Sequence, residues 1–429
     1  MTDAPTTREV RDIDASISEA DIERARKQIG IPQFSPNKPW NYHAGRDSME
    51  HFAYGMVGDD NPLYRDPEYA RKTRWRALIG HPLYVGTMGE REAPPYTPEL
   101  KALFRGLFRG VGKYHSGSDW EFFRPVYEGE RIFSEYITKD VQVKQSTFSG
   151  GISVLDTYRE TYFDVAGIPV AYHDILFINA ERKGSASSGR YKDVKRATYT
   201  PDDIARIEEI YAAETRRGPE ERLWEDVEVG ESLGQIAKGP FTMVDLLGRH
   251  VATGIGAMYQ HGPLKYAHQM RKKMPAFYTA DEYGVPQVQQ RVHWDDARAR
   301  DLGLPTSYDY GAMRTAWQAH LITNWMGDDA WMWKFHSEVR LFAFMGDTHI
   351  VSGEVTAKRV EDEHHVVDVA VRCVNQRGET TAPGHATLIL PSREYGPAVL
   401  PTPPADLRRR GAAQMAAYSR RERAKAAGG

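Results

Sequence analysis

The sequence carries one residue pattern twice, and this duplication restricts the fold to an architecture in which two similar units pack together. The matched stretches are Tyr64-Arg65-Asp66 with His293-Trp294-Asp295, Ala70 with Ala299, Gly129-Glu130 with Gly346-Asp347, and Phe163-Asp164 with Val374-Asn375. The offset between counterparts falls from 229 to 217 and then to 211 residues, as expected if loops of different length were added to two copies of one unit. The duplication raises the question of which copy carries the chemistry.

The composition is that of a soluble globular protein. A chain of 429 residues with 41% hydrophobic and 27% charged residues is long enough for two domains. The formal net charge of −3 gives no reason to expect nucleic acid or an anionic membrane as a partner. The single cysteine, Cys373, excludes an internal disulfide and fits a reducing compartment. Residues 1–20 lack the apolar core of a signal peptide and no apolar run has the length of a membrane helix, so we expect a cytoplasmic protein.

The predicted organisation is two domains joined by a linker. Residues 183–197 are polar and basic, with Gly and Ser, and mark the boundary. The predicted segments are a flexible N-terminus (1–20), an N-terminal domain (21–182), a linker (183–220), a C-terminal domain (221–395) and a C-terminal tail (396–429).

Each half starts with helical segments and continues with strands, which predicts an α+β fold. Residues 131–178 contain three runs rich in β-branched and aromatic residues, and residues 351–390 contain three more. Residues 311–326 have a strong apolar stripe whose small side chains would let a helix lie close to a curved sheet. We expect this helix and one near residues 80–92 to be the most buried helices of the chain.

Two loops hold the candidate polar residues, and each also has a purely structural interpretation. Residues 58–66 (GDDNPLYRD) suit a helix-to-helix connection capped by Asp66. The functional alternative is a loop that presents a carboxylate and the Tyr64 hydroxyl. In residues 291–297, Asp295 suits a helix N-cap, and His293 suits either a structural histidine or a general base, because imidazole titrates near neutral pH.

Motifs for other chemistry are missing from the sequence. Residues 254–258 (GIGAM) resemble part of a dinucleotide loop, but no strand precedes them and the third glycine is lacking. The histidines do not have metal-ligand spacing. There is no Gly-x-Ser-x-Gly elbow and no phosphate loop. We therefore expect neither a metal nor a cofactor of the protein's own.

These residues together resemble the MaoC-like acyl-thioester hydratases and dehydratases, whose unit is the hot-dog fold. The family signature is Gly-Asp-x-Asn-Pro-x-His-x-Asp, followed by Ala and by a small-residue helix entered through a glycine. The first half, which is similar to FAS1-type dehydratases, matches at Gly58, Asp59, Asn61, Pro62 and Asp66, with Tyr64 in place of the histidine. The second half matches at His293, Asp295, Ala299, Gly303 and Gly311.

The resemblance implies a double hot-dog, in which two antiparallel sheets each wrap round a long helix. Both halves depart from the signature. The family aspartate lies five residues before the histidine, and Val288 occupies that position in the second half. An insertion-like segment, about residues 254–290, stands where Gly-Asp-x-Asn-Pro is expected. Neither half therefore contains the whole acid and histidine pair.

The chemistry implied by the resemblance is addition of water across the 2,3 double bond of an enoyl thioester, or the reverse reaction. The catalytic candidates are His293, Asp295 and Gly311, whose N–H at a helix N-terminus would stabilise the thioester oxygen. The substrate-binding candidates are Asp59, Asn61, Tyr64, Tyr308 and Tyr310. We also expect an acidic side chain, such as Asp281 or Asp309, or a tyrosine hydroxyl within hydrogen-bond reach of His293.

The function predicted from the sequence is that of an acyl-CoA hydratase or dehydratase. Two alternatives stay open: a non-catalytic, acyl-thioester-binding partner subunit, and a hot-dog thioesterase. The expected partners are an acyl-CoA thioester and either a second copy of the chain or another hot-dog protein.

Overall fold

The first repeat consists of short helices followed by long strands. The computed structural model describes residues 15–33, 39–91, 96–146, 151–181, 191, 193–254 and 264–427. The helices of this repeat are α1 (Glu19–Arg26), α2 (Arg46–Phe52), α3 (Pro67–Ala70) and α4 (Pro98–Phe104). The strands are β1 (Glu90–Arg91), β2 (Gly112–Phe122), β3 (Phe133–Ser146), β4 (Gly151–Phe163) and β5 (Pro169–Ala180).

The second repeat follows the same order and adds a helix and a small hairpin. Helix α5 (Pro201–Ala213) precedes this repeat. The helices of the repeat are α6 (Met243–Thr253), α7 (Leu264–Lys273), α8 (Asp296–Asp301) and α9 (Ala312–Met326). Its strands are β6 (Ser232–Lys238), β7 (Tyr278–Ala280), β8 (Pro286–Val288), β9 (Trp331–Glu338), β10 (His349–Glu361), β11 (His364–Asn375) and β12 (Thr380–Ile389). A last helix, α10 (Ala405–Ala427), lies in the predicted tail.

The strands of the two repeats join edge to edge in one ten-stranded sheet. The order is β1-β3-β4-β5-β2-β9-β12-β11-β10-β6, and all neighbours are antiparallel except β1 and β3. The seam is the pairing of β2 with β9, in which Trp120 lies opposite Phe335. The two predicted sheets are therefore continuous, and the repeats cannot separate without breaking backbone hydrogen bonds.

Equivalent backbone hydrogen bonds establish the repeat in three dimensions. Gly80 N donates to Val126 O at 2.8 Å, and Asp309 N donates to Ala343 O at 2.9 Å. These donors are 229 residues apart and the acceptors are 217 apart, the same offsets that the sequence pattern shows. These offsets therefore pair each residue of one repeat with its equivalent in the other repeat.

The same comparison defines the insertion in the second repeat. Ala44 N donates to Glu130 O, and Phe241 N donates to Asp347 O, each at 2.8 Å. Ala44 and Phe241 are 197 residues apart, whereas the equivalent residues Gly80 and Asp309 are 229 apart. The second repeat therefore contains 32 more residues between Phe241 and Asp309 than the first repeat contains between Ala44 and Gly80. This confirms that residues 254–290 hold an insertion, which contributes α7 and the β7–β8 hairpin.

Helix α9 forms the core of the second repeat. Every residue from Met313 to Met326 is buried, and the helix contacts strands of its own repeat as well as β2 of the first. Its small side chains allow this close approach, as the sequence pattern predicts. The buried Arg314 is paired with Asp309 through bonds of 2.8 and 3.1 Å, so this charge is compensated.

The first repeat lacks an equally long helix. The predicted helix near residues 80–92 is only a 3₁₀ helix, Pro82–Thr87. Gly80, Pro82, Gly86 and Gly89 interrupt any longer helix, because glycine and proline are the poorest helix formers. Leu83, Tyr84 and Val85 are nevertheless buried, so the segment keeps the inner position of a hot-dog helix.

The remaining segment predictions have mixed outcomes. Residues 1–14 of the predicted flexible N-terminus and residues 183–190 and 192 of the predicted linker lie outside the described residues. Within the predicted linker the structure places α5, so its second part is helical. Among the described residues, no helix is both long and apolar enough to cross a membrane.

Candidate active site

His293 lies at the end of a 3₁₀ helix, Gln289–His293, and its ring faces the loop that precedes α9. Its Nδ1 atom is 3.0 Å from the carbonyl oxygen of Tyr308. Because a carbonyl oxygen only accepts, Nδ1 carries the hydrogen and Nε2 carries the lone pair. The fold therefore holds the imidazole in the tautomer that a general base requires.

The surroundings keep His293 uncharged. Burial, the largest cause, together with the positive charge of Arg249 lowers the pKa of His293 to about 3, although the bond to the Tyr308 carbonyl acts in the opposite direction. The neutral ring lies against two tyrosines, with ring centroids 4.7 Å away for Tyr308 and 3.8 Å away for Tyr310. At neutral pH the Nε2 lone pair is free of a proton.

Tyr310 provides a second polar group beside the imidazole. Its ring stacks on that of His293, and its hydroxyl is buried without a hydrogen-bond partner among the described residues. Burial raises the pKa of Tyr310 to about 12, so the hydroxyl stays protonated at neutral pH. A buried hydroxyl without a partner is costly, which suggests that a bound molecule completes its bonding.

Gly311 begins α9 next to this pair. The first bonds of the helix run from Met313 N to Tyr310 O and from Arg314 N to Gly311 O, so the N–H groups before Met313 lie outside the ladder. A Cβ atom at Gly311 would lie 3.0 Å from both His115 Nδ1 and Val339 Cγ2. Glycine therefore lets these two side chains pack closely against the start of α9, the positive end of the helix dipole.

His115 is a site residue that the sequence did not reveal, because it comes from β2 of the first repeat. Its Nδ1 atom is buried without a hydrogen-bond partner among the described residues, and its Nε2 atom is 3.2 Å from Ser118 Oγ. Burial, the largest cause, together with the charges of Arg314 and Arg249 lowers the pKa of His115 to about 4. The site is thus built by both repeats.

Asp295 is placed differently from the prediction that it is catalytic. Its Oδ1 atom accepts from Arg298 N at 3.0 Å as the N-cap of α8, and its Oδ2 atom accepts from Arg291 Nε at 2.9 Å. Both oxygens are occupied by structural bonds. The hydrogen bond observed at His293 goes to the backbone rather than to an acidic side chain, and Val288, at the family aspartate position, is buried in β8.

The substrate-binding candidates divide into two groups. Tyr308 and Tyr310 lie at His293. Asp59, Asn61 and Tyr64 are buried elsewhere, in the first repeat. Tyr64 faces the ring of His81, with centroids 5.3 Å apart, and burial raises the pKa of its hydroxyl.

Asp59 and Asn61 belong to a buried hydrogen-bond cluster between the repeats. Asp59 Oδ2 accepts from Thr323 Oγ1 at 2.9 Å, and Asn61 Nδ2 donates to Asp328 Oδ1 at 2.8 Å. Tyr69 donates its hydroxyl hydrogen to Asp328 Oδ2 at 2.5 Å. These five residues form the inter-repeat cluster, in which the signature loop of the first repeat holds the end of α9.

Comparison with known proteins agrees with this architecture. Residues 29–173 match the family model of the FAS1-like dehydratase domain region. A UPF0336 protein of Streptomyces avermitilis is 29% identical over 136 residues, which are 31% of this chain and 81% of that protein.

Among solved structures, a MaoC-like dehydratase is similar with a TM-score of 0.56 at 16% sequence identity, covering 85% of this chain and 99% of that chain. The chain has a double hot-dog fold like that of this MaoC-like dehydratase. A MaoC-like dehydratase from Phytophthora capsici has a TM-score of 0.47 at 10% identity, covering 86% of this chain and 99% of that one. The resemblance and the fold class predicted from the sequence are thus confirmed.

Proposed function

We propose that this protein is a hydro-lyase that adds water to, or removes water from, the 2,3 position of an acyl thioester carried by coenzyme A. The observation that carries the proposal is the tautomer of His293, whose ring stacks on Tyr310, the residue before Gly311 at the N-terminus of α9. A base and a group that stabilises an oxyanion are the two requirements of this reaction.

In the hydration direction, His293 and Tyr310 would hold one water molecule. The water would donate one hydrogen to His293 Nε2 and the other to the Tyr310 oxygen, which takes over the accepting role of the family aspartate. As the water oxygen attacks C3, its proton passes to Nε2 and the electron pair of the double bond moves toward the thioester. The imidazolium then returns that proton to C2, so one OH and one H have been added.

The thioester oxygen would lie at Gly311. Negative charge develops there when C3 is attacked, and the backbone N–H groups at the start of α9 would stabilise it. His115 is the second candidate donor at this position, because its Nδ1 lies on the Gly311 side of the site. Each repeat would then contribute one group to the same oxygen.

The second candidate function is that of an acyl-thioester-binding subunit without catalysis. It is favoured by Val288, which supplies no carboxylate at the family position and is buried. In that case the site would bind the acyl group but could not position the water.

A turnover assay separates these candidates. The full chain is incubated with crotonyl-CoA and with longer enoyl-CoA thioesters, and loss of the conjugated double bond and release of free thiol are followed together. Hydration without thiol release is the expected result. Thiol release alone would identify a thioesterase, and saturable binding without either reaction would leave the binding subunit as the remaining function.

A further inference from the structure

Arg249 is a guanidinium at the candidate active site that has no counter-ion among the described residues. It lies on α6, with its Cζ atom 4.1 Å from the centre of the Tyr310 ring. Its Nε and Nη1 atoms are buried and have no hydrogen-bond partner among the described residues. An uncompensated buried charge costs several kcal/mol, so such a group is expected to have a partner in the working protein.

The described part of the chain offers no carboxylate to Arg249. Asp309 is the acidic residue whose charge acts on it, but both oxygens of Asp309 are taken by Arg314. Asp245, one turn earlier on α6, accepts from Thr242 as part of the helix cap. Residues 246–280 contain neither Asp nor Glu. The acids of the insertion, Asp281 and Glu282, lie in the turn between β7 and β8, where Asp281 accepts from the N–H groups of Tyr283 and Val285.

Arg249 is close to the reacting end of the proposed substrate. The Arg249 Cζ and the His293 ring both contact the Tyr310 ring, at 4.1 and 3.8 Å, so they are at most about 8 Å apart, the sum of those two distances. The phosphates of coenzyme A are separated from the thioester by the whole pantetheine arm. An anion at this distance from His293 must therefore belong to the acyl group.

We propose that the acyl group of the substrate carries its own carboxylate, and that Arg249 binds this carboxylate. The substrate class is then the coenzyme A thioester of a short unsaturated dicarboxylic acid. A guanidinium suits this purpose because its planar N–H groups match the two carboxylate oxygens. The inference rests on the proposed function for the position of the thioester, but the binding of the carboxylate can be tested separately.

Binding of such a substrate would also change the electrostatics of His293. The charge of Arg249 lowers the pKa of His293 in the unliganded protein, and a bound carboxylate would offset this charge. The imidazole would become a stronger base only when the dicarboxylic substrate is present. A monocarboxylic thioester would leave the guanidinium unpaired.

The test compares two thioesters in three forms of the full chain. The thioesters are crotonyl-CoA and the mono-coenzyme A thioester of glutaconic acid. The proteins are the wild type, Arg249→Gln and the control Arg71→Gln, which changes an exposed arginine of the first repeat with a side-chain exposure of 58%. We expect Arg249→Gln to lower kcat/KM for the glutaconyl thioester on the order of 10²-fold and for crotonyl-CoA less than about threefold, with no effect of the control.

Two results would overturn the proposal. An equal loss for both thioesters would mean that Arg249 acts on the thioester or on the chemical step. A wild type that prefers crotonyl-CoA would mean that the guanidinium does not recognise a carboxylate. The melting temperature provides a third check: Arg249→Gln should lower it only slightly, because the guanidinium loses its contact with the Tyr310 ring but no ion pair, and a large decrease would reveal a structural role instead.

A binding measurement keeps this inference distinct from the hydratase proposal. If no thioester is converted, calorimetric titration with glutaconyl-CoA still reports on Arg249. Binding to the wild type that is lost in Arg249→Gln would support the carboxylate site and reject the hydratase. Conversion of crotonyl-CoA, together with equal binding of glutaconyl-CoA to wild type and Arg249→Gln, would support the hydratase and reject the carboxylate site.

Discussion

The two repeats place the same pair of side chains in exchanged positions. In the first repeat Tyr64 faces His81, and at the equivalent positions of the second repeat His293 faces Tyr310. Each histidine is 229 residues from the tyrosine that replaces it in the other repeat. Residue identity therefore does not decide which site is suited to chemistry; the decisive differences lie around the pair.

One difference is the residue that follows. Pro82 occupies the position equivalent to Gly311, and proline has no N–H to offer a thioester oxygen. The second difference is access. The Gly58–Asn61 loop of the first repeat is locked into the inter-repeat cluster, whereas the second repeat replaces that loop by the 32-residue insertion. The first repeat has thus become a support for the second.

The largest effect is expected from removing the base. His293→Ala should lower turnover by about 10²–10⁴ in the enoyl-CoA assay, because it removes Nε2 and leaves the helix N-terminus intact. Tyr64→Phe, at the equivalent position of the first repeat, should lower turnover far less. If His293→Ala kept full activity and Tyr64→Phe lost it, the first repeat and not the second would carry the chemistry.

The next effect concerns stability and the inter-repeat cluster. Asp59→Ala leaves the buried Asn61 N–H without its acceptor and removes one of the two acceptors of the Thr323 hydroxyl, so we expect a decrease of about 1–3 kcal/mol in the free energy of unfolding. Asp295→Ala removes an N-cap and should cost about 1 kcal/mol. Urea denaturation measures both, and a smaller cost for Asp59→Ala than for Asp295→Ala would contradict the supporting role of the inter-repeat cluster.

In their response to acid the two repeats should behave alike. Burial lowers the pKa of His81 to about 4 and that of His293 to about 3. The unfolded chain, with a histidine pKa near 6.5, binds these protons first, so stability falls as the pH decreases from about 6.5 toward 4. His81→Asn should reduce the slope of unfolding free energy against pH by up to about 1.4 kcal/mol per pH unit. An unchanged slope would show that His81 is not buried as a neutral ring.

The smallest effect, none at all, is expected from rebuilding the pair in the first repeat. Tyr64→His with His81→Tyr, introduced into the His293→Ala protein, reproduces the side chains of the second site. We expect no recovery of turnover, because Pro82 still lacks the N–H and the loop is still closed. Recovery above the His293→Ala background, with circular dichroism showing a folded protein, would mean that the pair alone suffices.

The fold was predictable because its signals are local and periodic. The apolar stripe of residues 311–326 predicts α9 to within one residue. The prediction of a long helix near residues 80–92 was wrong, because the apolar run there contains Gly80, Pro82 and Gly86. The prediction transferred the long helix of the second repeat to the equivalent segment of the first, although the glycines and the proline there disfavour a helix.

The candidate site was only partly predictable, because half of it is assembled across the repeats. His293, Gly311 and the two tyrosines come from one short stretch, so a family motif identifies them. His115 comes from a strand of the other repeat, and no spacing connects it to Gly311. Arg249 left one signal, the absence of Asp and Glu from residues 246–280, which becomes meaningful only when its buried position is known.

The joining of both repeats in one chain also has a genetic consequence. When two identical subunits pair, each codon change appears at both sites, so a substitution that suits only one of them is removed by selection at the other. Within a single reading frame the two copies mutate independently. A tyrosine and a histidine can then exchange places, and a proline can replace a glycine, in one copy while the other keeps its chemistry. The asymmetry of the two sites is therefore a property that gene fusion makes heritable.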